Sequence, residues 1–254
     1  MPNELERLLD LACIEPGYAP EFYRCLLASE VYALLPTVGH GMDEGKLRFV
    51  MWRGADGIDV IPYFASRGAL RRALKPGWQP VKFTGRALLK ITHGATVVLN
   101  PNEAATSRLT PAEVTLLLDT GAVSSLERAT QYGGLMCSLQ VAATPPTATL
   151  HSLSVLFSRH RSVRRAYLAL YFPPEKPEAR CYLIVIRMDN HDAERLVRES
   201  AQVIQDVPPD LNIDLLTCFD DAHDLLQLVS DLAPPFYDQA WGERLVMPES
   251  TRST

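Results

Sequence analysis

No run of about 18 consecutive apolar residues occurs in this 254-residue chain, so no membrane-spanning helix is expected. Cysteine is scarce: five residues, at positions 13, 25, 137, 181 and 218, odd in number and never in a CxxC pair. That pattern argues against a disulfide framework or a zinc site and fits reduced thiols in the cytosol. Phosphate-loop patterns (GxGxxG, GxxxxGKS/T), the GxSxG elbow and the HxH and HExxH spacings are absent as well. The opening Met1-Pro2-Asn3-Glu4-Leu5-Glu6 is acidic where a secretory leader would be basic. No internal repeat or low-complexity stretch occurs. What is present is ordinary globular composition, 47% hydrophobic and 22% charged. With 30 acids against 25 bases the net charge is only −5, which excludes a chain kept unfolded by its own charge. The expectation is a soluble, cytoplasmic α/β-containing protein with one large domain or two small ones.

Local patterns place the elements. Asn3 caps a first helix, with Glu6 completing a capping box and Leu5, Leu8, Leu9 and Ala12 on one stripe. A second helix runs from Pro20 to Ser29, with Phe22, Cys25 and Leu26 on a common face. Strands are predicted over Val31–Leu35, Leu47–Trp52 and Ile58–Phe64, and Asp56-Gly57 signals a two-residue primed hairpin turn between the last two. Ser66–Leu74 reads as a short helix. Val81–Phe83 and Ala95–Leu99 read as strands, with a helical turn over Arg86–Ile91. The sharpest local signal is Thr110-Pro111-Ala112-Glu113: a cap, a proline at the first helical position, a capping-box glutamate, and Gly121 past the end.

A domain boundary is expected near 122–134, giving an N-terminal α/β domain over 1–128, a C-terminal domain over 135–245 and a frayed tail over 246–254. The second half alternates a strand (135–142), a helix (148–159), two strands (165–172 and 181–188), a helix (193–205) and a strand (213–217). Its middle strands are apolar on both faces. The order βαββαβ suggests a ferredoxin-like domain with a final helix, and the fold class is α+β. On the second helix Leu196, Val197, Ala201 and Ile204 are expected inward, and Glu194, Arg195, Arg198 and Glu199 outward.

The near-neutral total hides a segregation of charge. Val60 to Asn102 holds seven bases and no acid, whereas Asp189 to Glu243 holds thirteen acids and two bases. Such asymmetry speaks to partners or docking. Arg67, Arg71 and Lys75, at i, i+4 and i+8, fall on one helical face. With Arg72 and Arg86 they form the candidate interaction surface, for a protein partner or for self-association. Nucleic acid is not expected from an acidic chain without basic, aromatic-interleaved strands. The cluster Arg159, His160, Arg161, Arg164, Arg165 is explained by cations at a helix end.

No catalytic residue, metal site or cofactor emerges. Asp220-Asp221-Ala222-His223-Asp224 is the only cluster resembling a metal site, and helix capping explains it. Cys25 suits a core position better than a nucleophile. For a small-molecule ligand with a carboxylate, such as an amino acid, Arg86 and the glycine-flanked loop Gly39-His40-Gly41 are the first positions to consider.

Five motifs together resemble a known family. Phe22 to Tyr32 resembles the opening of the SseB (enhanced serine sensitivity) family, and Asp56 to Ser66 its "DG…IPxFxS" strand. Leu88-Leu89 with Gly94 to Pro101 is similar to its "LL…G…LNP" segment. Leu153–Leu170 and Pro235-Phe236-Tyr237 resemble its C-terminal domain. The resemblance covers residues 20–120 and 148–238. A secretion translocon component shares that name, but it would need sustained heptads, which this chain lacks. The resemblance implies a two-domain layout, a link to serine sensitivity and labels related to type III secretion. It carries no activity or catalytic residue with it.

Overall fold

The computed structural model describes residues 3–37, 42–43, 46–54, 56–123, 138–172, 178–189, 193–219 and 224–241. The chain divides into two compact units, Met1–Ser124 and Ser125–Thr254, and the fold class is α+β. Among the described residues, no helix is long and apolar enough to cross a membrane.

In the N-terminal unit, α1 (Glu4–Ile14) starts at the predicted box: Glu6 N donates to Asn3 Oδ1 at 2.8 Å and Asn3 N to Glu6 Oε2 at 3.0 Å. A 3-10 turn over Pro16–Tyr18 leads into α2 (Ala19–Ala28) and β1 (Glu30–Pro36). The remaining elements are β2 (Met42–Asp43), β3 (Lys46–Leu47), β4 (Trp52–Arg53), β5 (Asp59–Phe64), α3 (Arg67–Ala73), β6 (Trp78–Thr84), α4 (Gly85–Ile91), β7 (Thr96–Leu99), β8 (Ser107–Leu109) and α5 (Pro111–Thr120). The sheet order is β6-β1-β5-β7-β8, with β4 also on β5 and with β5 and β7 parallel. Period-two alternation sorts the side chains onto its two faces. Val31, Ala33, Ile61, Tyr63, Val97 and Leu99 pack under α1, α2, α4 and α5. Leu34 and Phe64 pack under α3 with Trp52 and Trp78.

Two local expectations change. The strand predicted over 47–52 is not continuous: it keeps only its ends, Lys46–Leu47 and Trp52–Arg53, and Val50 N makes a single bond to Leu34 O at 2.8 Å. The Asp56-Gly57 turn is not a two-residue primed turn. Gly57 alone has positive φ, at 77°, and its N–H closes onto Gly54 O at 3.0 Å. Pro62 lies in a central strand, yet its missing N–H is harmless, because β1 pairs β5 at Tyr63 and Phe64 and β4 pairs it at Asp59 and Val60. Pro62 falls in the gap between them.

The C-terminal unit contains β9 (Ser138–Gln140), α6 (Thr147–Ser158), β10 (Val163–Phe172), β11 (Cys181–Met188), α7 (Ala193–Asp206), β12 (Ile213–Cys218), α8 (Asp224–Leu232) and β13 (Tyr237–Asp238). Its sheet runs β12-β11-β10-β13, and β9 pairs with the other end of β10. This corrects the ferredoxin-like expectation, in which the first strand would occupy the middle of the sheet. The centre belongs to β10 and β11, whose apolar residues face cores on both sides, α6 and α7 on one and α8 on the other. A three-residue strand reading Ser-Leu-Gln suits an edge. Glu199, expected outward, is instead 3% exposed and accepts from His160 Nε2 at 2.6 Å and from Arg195 Nε at 3.0 Å. A buried carboxylate of this kind is tolerated because it is paired on both oxygens.

Burial pushes the Cys181 thiol up to about 12, with the Asp214 carboxylate adding to the effect, and pushes the Cys218 thiol up to about 11. Both are therefore protonated when native at neutral pH, and only the thiolate attacks alkylating agents. Iodoacetamide is expected to modify the exposed Cys13 while sparing Cys181 and Cys218 until the chain is denatured, as read by peptide mass mapping. The unfolded chain loses these protons first on alkaline titration. The stability they support is thus complete below the ordinary thiol pKa and is lost between there and the raised values. Equal labelling of all three thiols in the native state would refute their burial.

Candidate functional site

The predicted basic surface does not hold together as one patch. Ser66 caps α3 by accepting from Ala69 N at 3.1 Å, and the helix ends at Ala73, so Lys75 lies beyond it, over the Trp78 ring at 5.4 Å. Arg72 Nε donates to Glu103 Oε1 at 2.7 Å. Arg86, on α4, donates to the Leu118 carbonyl in the last turn of α5 at 3.2 Å, which is a cation on a helix C-terminus. Arg67 and Arg71, both exposed on α3, have no acidic partner among the described residues. Arg67 Nε reaches the Tyr32 hydroxyl at 3.4 Å, and Arg71 has no partner among the described residues. Gly39, His40 and Gly41, and the 220–224 cluster up to His223, lie outside the described residues.

Part of the acidic segment is also answered within its own unit. Asp189 is held by Arg164 and Arg187, Asp238 by Arg165 and Glu199 by His160 and Arg195. The Arg164 guanidinium holds the Asp189 carboxyl below the usual carboxylate range. The 159–165 cluster therefore neutralises acids across the sheet rather than merely meeting a helix end.

A different site forms at the carboxyl ends of the parallel strands β5 and β7, where open sheets commonly bind ligands. An open cleft of about 440 Å³ is walled by α1 (Glu6, Leu9, Asp10), by the start and outer turn of α3 (Ser66, Gly68, Arg72) and by the segment after β7 (Asn100, Glu103, Ala104, Ala105). Asn100 organises it. This residue has φ 51°, the left-handed conformation that asparagine tolerates better than most. Its N–H donates to Tyr63 O at 2.8 Å, and its Oδ1 accepts from Ala65 N at 3.0 Å. The carbonyl of the same Ala65 accepts from Asn3 Nδ2 at 2.6 Å. Two asparagines 97 positions apart thus hold one residue at the mouth of the sheet.

The cleft has three carboxylates and one guanidinium. No group of three potential metal ligands exists among the described residues. His93 Nε2 lies 3.1 Å from Thr115 Oγ1, but that hydroxyl already donates to Pro111 O at 2.9 Å, so His93 is the donor in that contact and not its base. Sequence reasoning missed Glu6, Asp10, Glu103 and the role of Asn100. Asn100 reads locally as a strand stop before Pro101, and only the "LNP" motif hinted at more.

Both units belong to described domain families. Residues 5–115 match the SseB protein N-terminal domain and residues 134–239 the SseB protein C-terminal domain, so the chain belongs to the SseB family. It is similar to Protein SseB of Escherichia coli (strain K12) and to Protein SseB of Shigella flexneri. Each is 30% identical over 244 residues, covering 94% of this chain and 93% of the relative. No solved structure matches.

Proposed function

We propose that this SseB-family chain works in the cytoplasm without catalysing a reaction, by docking the outer face of α3 on an acidic surface of a protein partner. The supporting observation is the exposed pair Arg67 and Arg71. Arg72, Lys75, Lys82 and Arg86 are taken up by contacts inside the unit, whereas Arg71 has no partner among the described residues. Exposed arginines without an acidic partner on one helix side suit carboxylate recognition, because the guanidinium fork binds such groups bidentately. A link to serine sensitivity then runs through the partner rather than through chemistry on this chain.

Reversing both charges (Arg67→Glu with Arg71→Glu) in the full chain is expected to abolish salt-sensitive capture of the partner, or self-association seen by light scattering. The melting temperature should stay at the wild-type value, since neither residue pairs with an acid. Unchanged capture and mass would overturn the proposal. Arg72 is best left alone, because its reversal would break the contact with Glu103. A second reading, binding of a small polar metabolite such as an amino acid, is favoured by the cleft around Asn100.

A further inference from the structure

We infer that the cleft at the carboxyl ends of β5 and β7 binds a small amine that also carries an oxygen acceptor, its ammonium held by Asp10 and Glu6 and its oxygen accepting from Asn100 Nδ2. This rests on the second reading, small-ligand binding, and adds its site and its ligand class.

The orientation of the Asn100 amide is fixed by its neighbour. Ala65 N–H is a donor, so the group facing it at 3.0 Å is Oδ1, and Nδ2 points the other way. Asn100 is only 4% exposed and lines the cleft, and Nδ2 has no acceptor among the described residues. The donor therefore opens to the cleft with its hydrogen-bonding capacity unused inside the protein, and an oxygen placed there can accept from it.

Charge selects the other end of the ligand. Arg72 is engaged with Glu103 at 2.7 Å, so that pair contributes little net charge. Glu6 gives one oxygen to the cap of α1, and Asp10 has no partner among the described residues. Asp10 and Glu6 thus bring two carboxylates from α1 to the cleft, and of the two only Glu6 is near enough to Arg72 to interact with it. They repel phosphates and dicarboxylates and attract an ammonium, which binds carboxylate through short charge-assisted hydrogen bonds. Leu9, Ala104 and Ala105 give a short carbon chain an apolar wall. The volume of about 440 Å³ lies within the range of small-molecule sites.

The test uses the full-length protein, ¹⁵N-labelled, and three matched probes: butylamine, which has only the ammonium, butanamide, which has only the carbonyl, and 4-aminobutanamide, which has both. The Asn100 side-chain signals are assigned by their loss in Asn100→Asp, which keeps the acceptor for Ala65. We expect 4-aminobutanamide to move these signals saturably and to bind at least about tenfold more tightly than either single-ended probe. Asp10→Asn, a change at an exposed position, should weaken it by about tenfold or more at an unchanged melting temperature.

Binding that leaves the Asn100 signals still, or that survives Asp10→Asn, overturns this site while leaving small-ligand binding intact. Butanamide or butylamine binding as well as 4-aminobutanamide overturns the ligand class. No saturable shift from any probe overturns the inference. A thermal-shift screen of amino acids beside it then decides whether the second reading falls too, since a ligand that binds only the folded chain must raise its melting temperature.

Discussion

Gly85→Ala is expected to destabilise the N-terminal unit by about 3 kcal/mol or more, at or beyond the top of the usual range for overpacking. Gly85 opens α4 and lies directly against the end of α2. A Cβ placed on it would stand 1.9 Å from the Leu26 carbonyl oxygen and 2.9 Å from the Leu26 carbonyl carbon. These are backbone atoms, so no rotamer change relieves the clash. The two helices must separate, and the bond from Gly85 N to Ser29 O at 2.9 Å would be lost with them. Leu26, Leu88 and Leu89 are all essentially unexposed, so the separation opens the core. Gly68→Ala is the control, because its Cβ meets nothing closer than 3.5 Å and it sits within α3. That change should be neutral or slightly stabilising. Urea unfolding followed by a probe in the N-terminal unit reads both variants. A Gly85→Ala protein that unfolds together with wild type would show that α2 and α4 are not in contact there.

Asn100→Ala should cost about 2–5 kcal/mol, from two separable sources. Removing Oδ1 leaves the buried Ala65 N–H without its partner, worth about 1–3 kcal/mol. Alanine at φ 51° adds the left-handed penalty of about 1–2 kcal/mol. Asn100→Gly removes only the second, so it should unfold at a higher urea concentration than Asn100→Ala, though still below wild type. If alanine and glycine were equivalent, the left-handed backbone would not be a source of strain. If both matched wild type, the side-chain contact with Ala65 would contribute nothing.

What was legible in the sequence depends on how far the determining atoms lie apart along the chain. The caps of α1 and α5 were readable because Asn3 with Glu6 and Thr110 with Glu113 are three residues apart. Positive φ at Gly121 followed from the same local logic. β10 and β11 were visible as apolar runs, and their central place in the sheet follows from burial on both faces. The contact of Gly85 with Leu26 spans most of the N-terminal sheet in sequence, so nothing near Gly85 announces it. Asn100 shows the same limit. Its partner Ala65 is 35 residues away, and without it the residue reads as a simple strand end. The charge segregation was real in sequence but misleading in space. Glu103, just after the acid-free stretch, and Glu30, well before it, reach back to Arg72 and Lys82. β8 and β13 are too short to leave a period.

The outer edge of β10 is filled from both ends of its unit, by β9 before it and by β13 at Tyr237–Asp238. During synthesis α6, β10 and β11 leave the ribosome long before β13 does. Until Tyr237 and Asp238 follow, the backbone opposite Arg165 and Ala166 has no strand to pair with, and an open edge of this kind invites pairing with another nascent chain. The residue waiting there is Arg165, whose later partner is Asp238, whereas Arg164 already has Asp189, which follows β11. In the unfinished chain Arg165 is a positive charge on an unpaired edge, and a second copy presents the same one. The arginine that locks the finished sheet is thus also the kind of edge charge that opposes association while the sheet is incomplete.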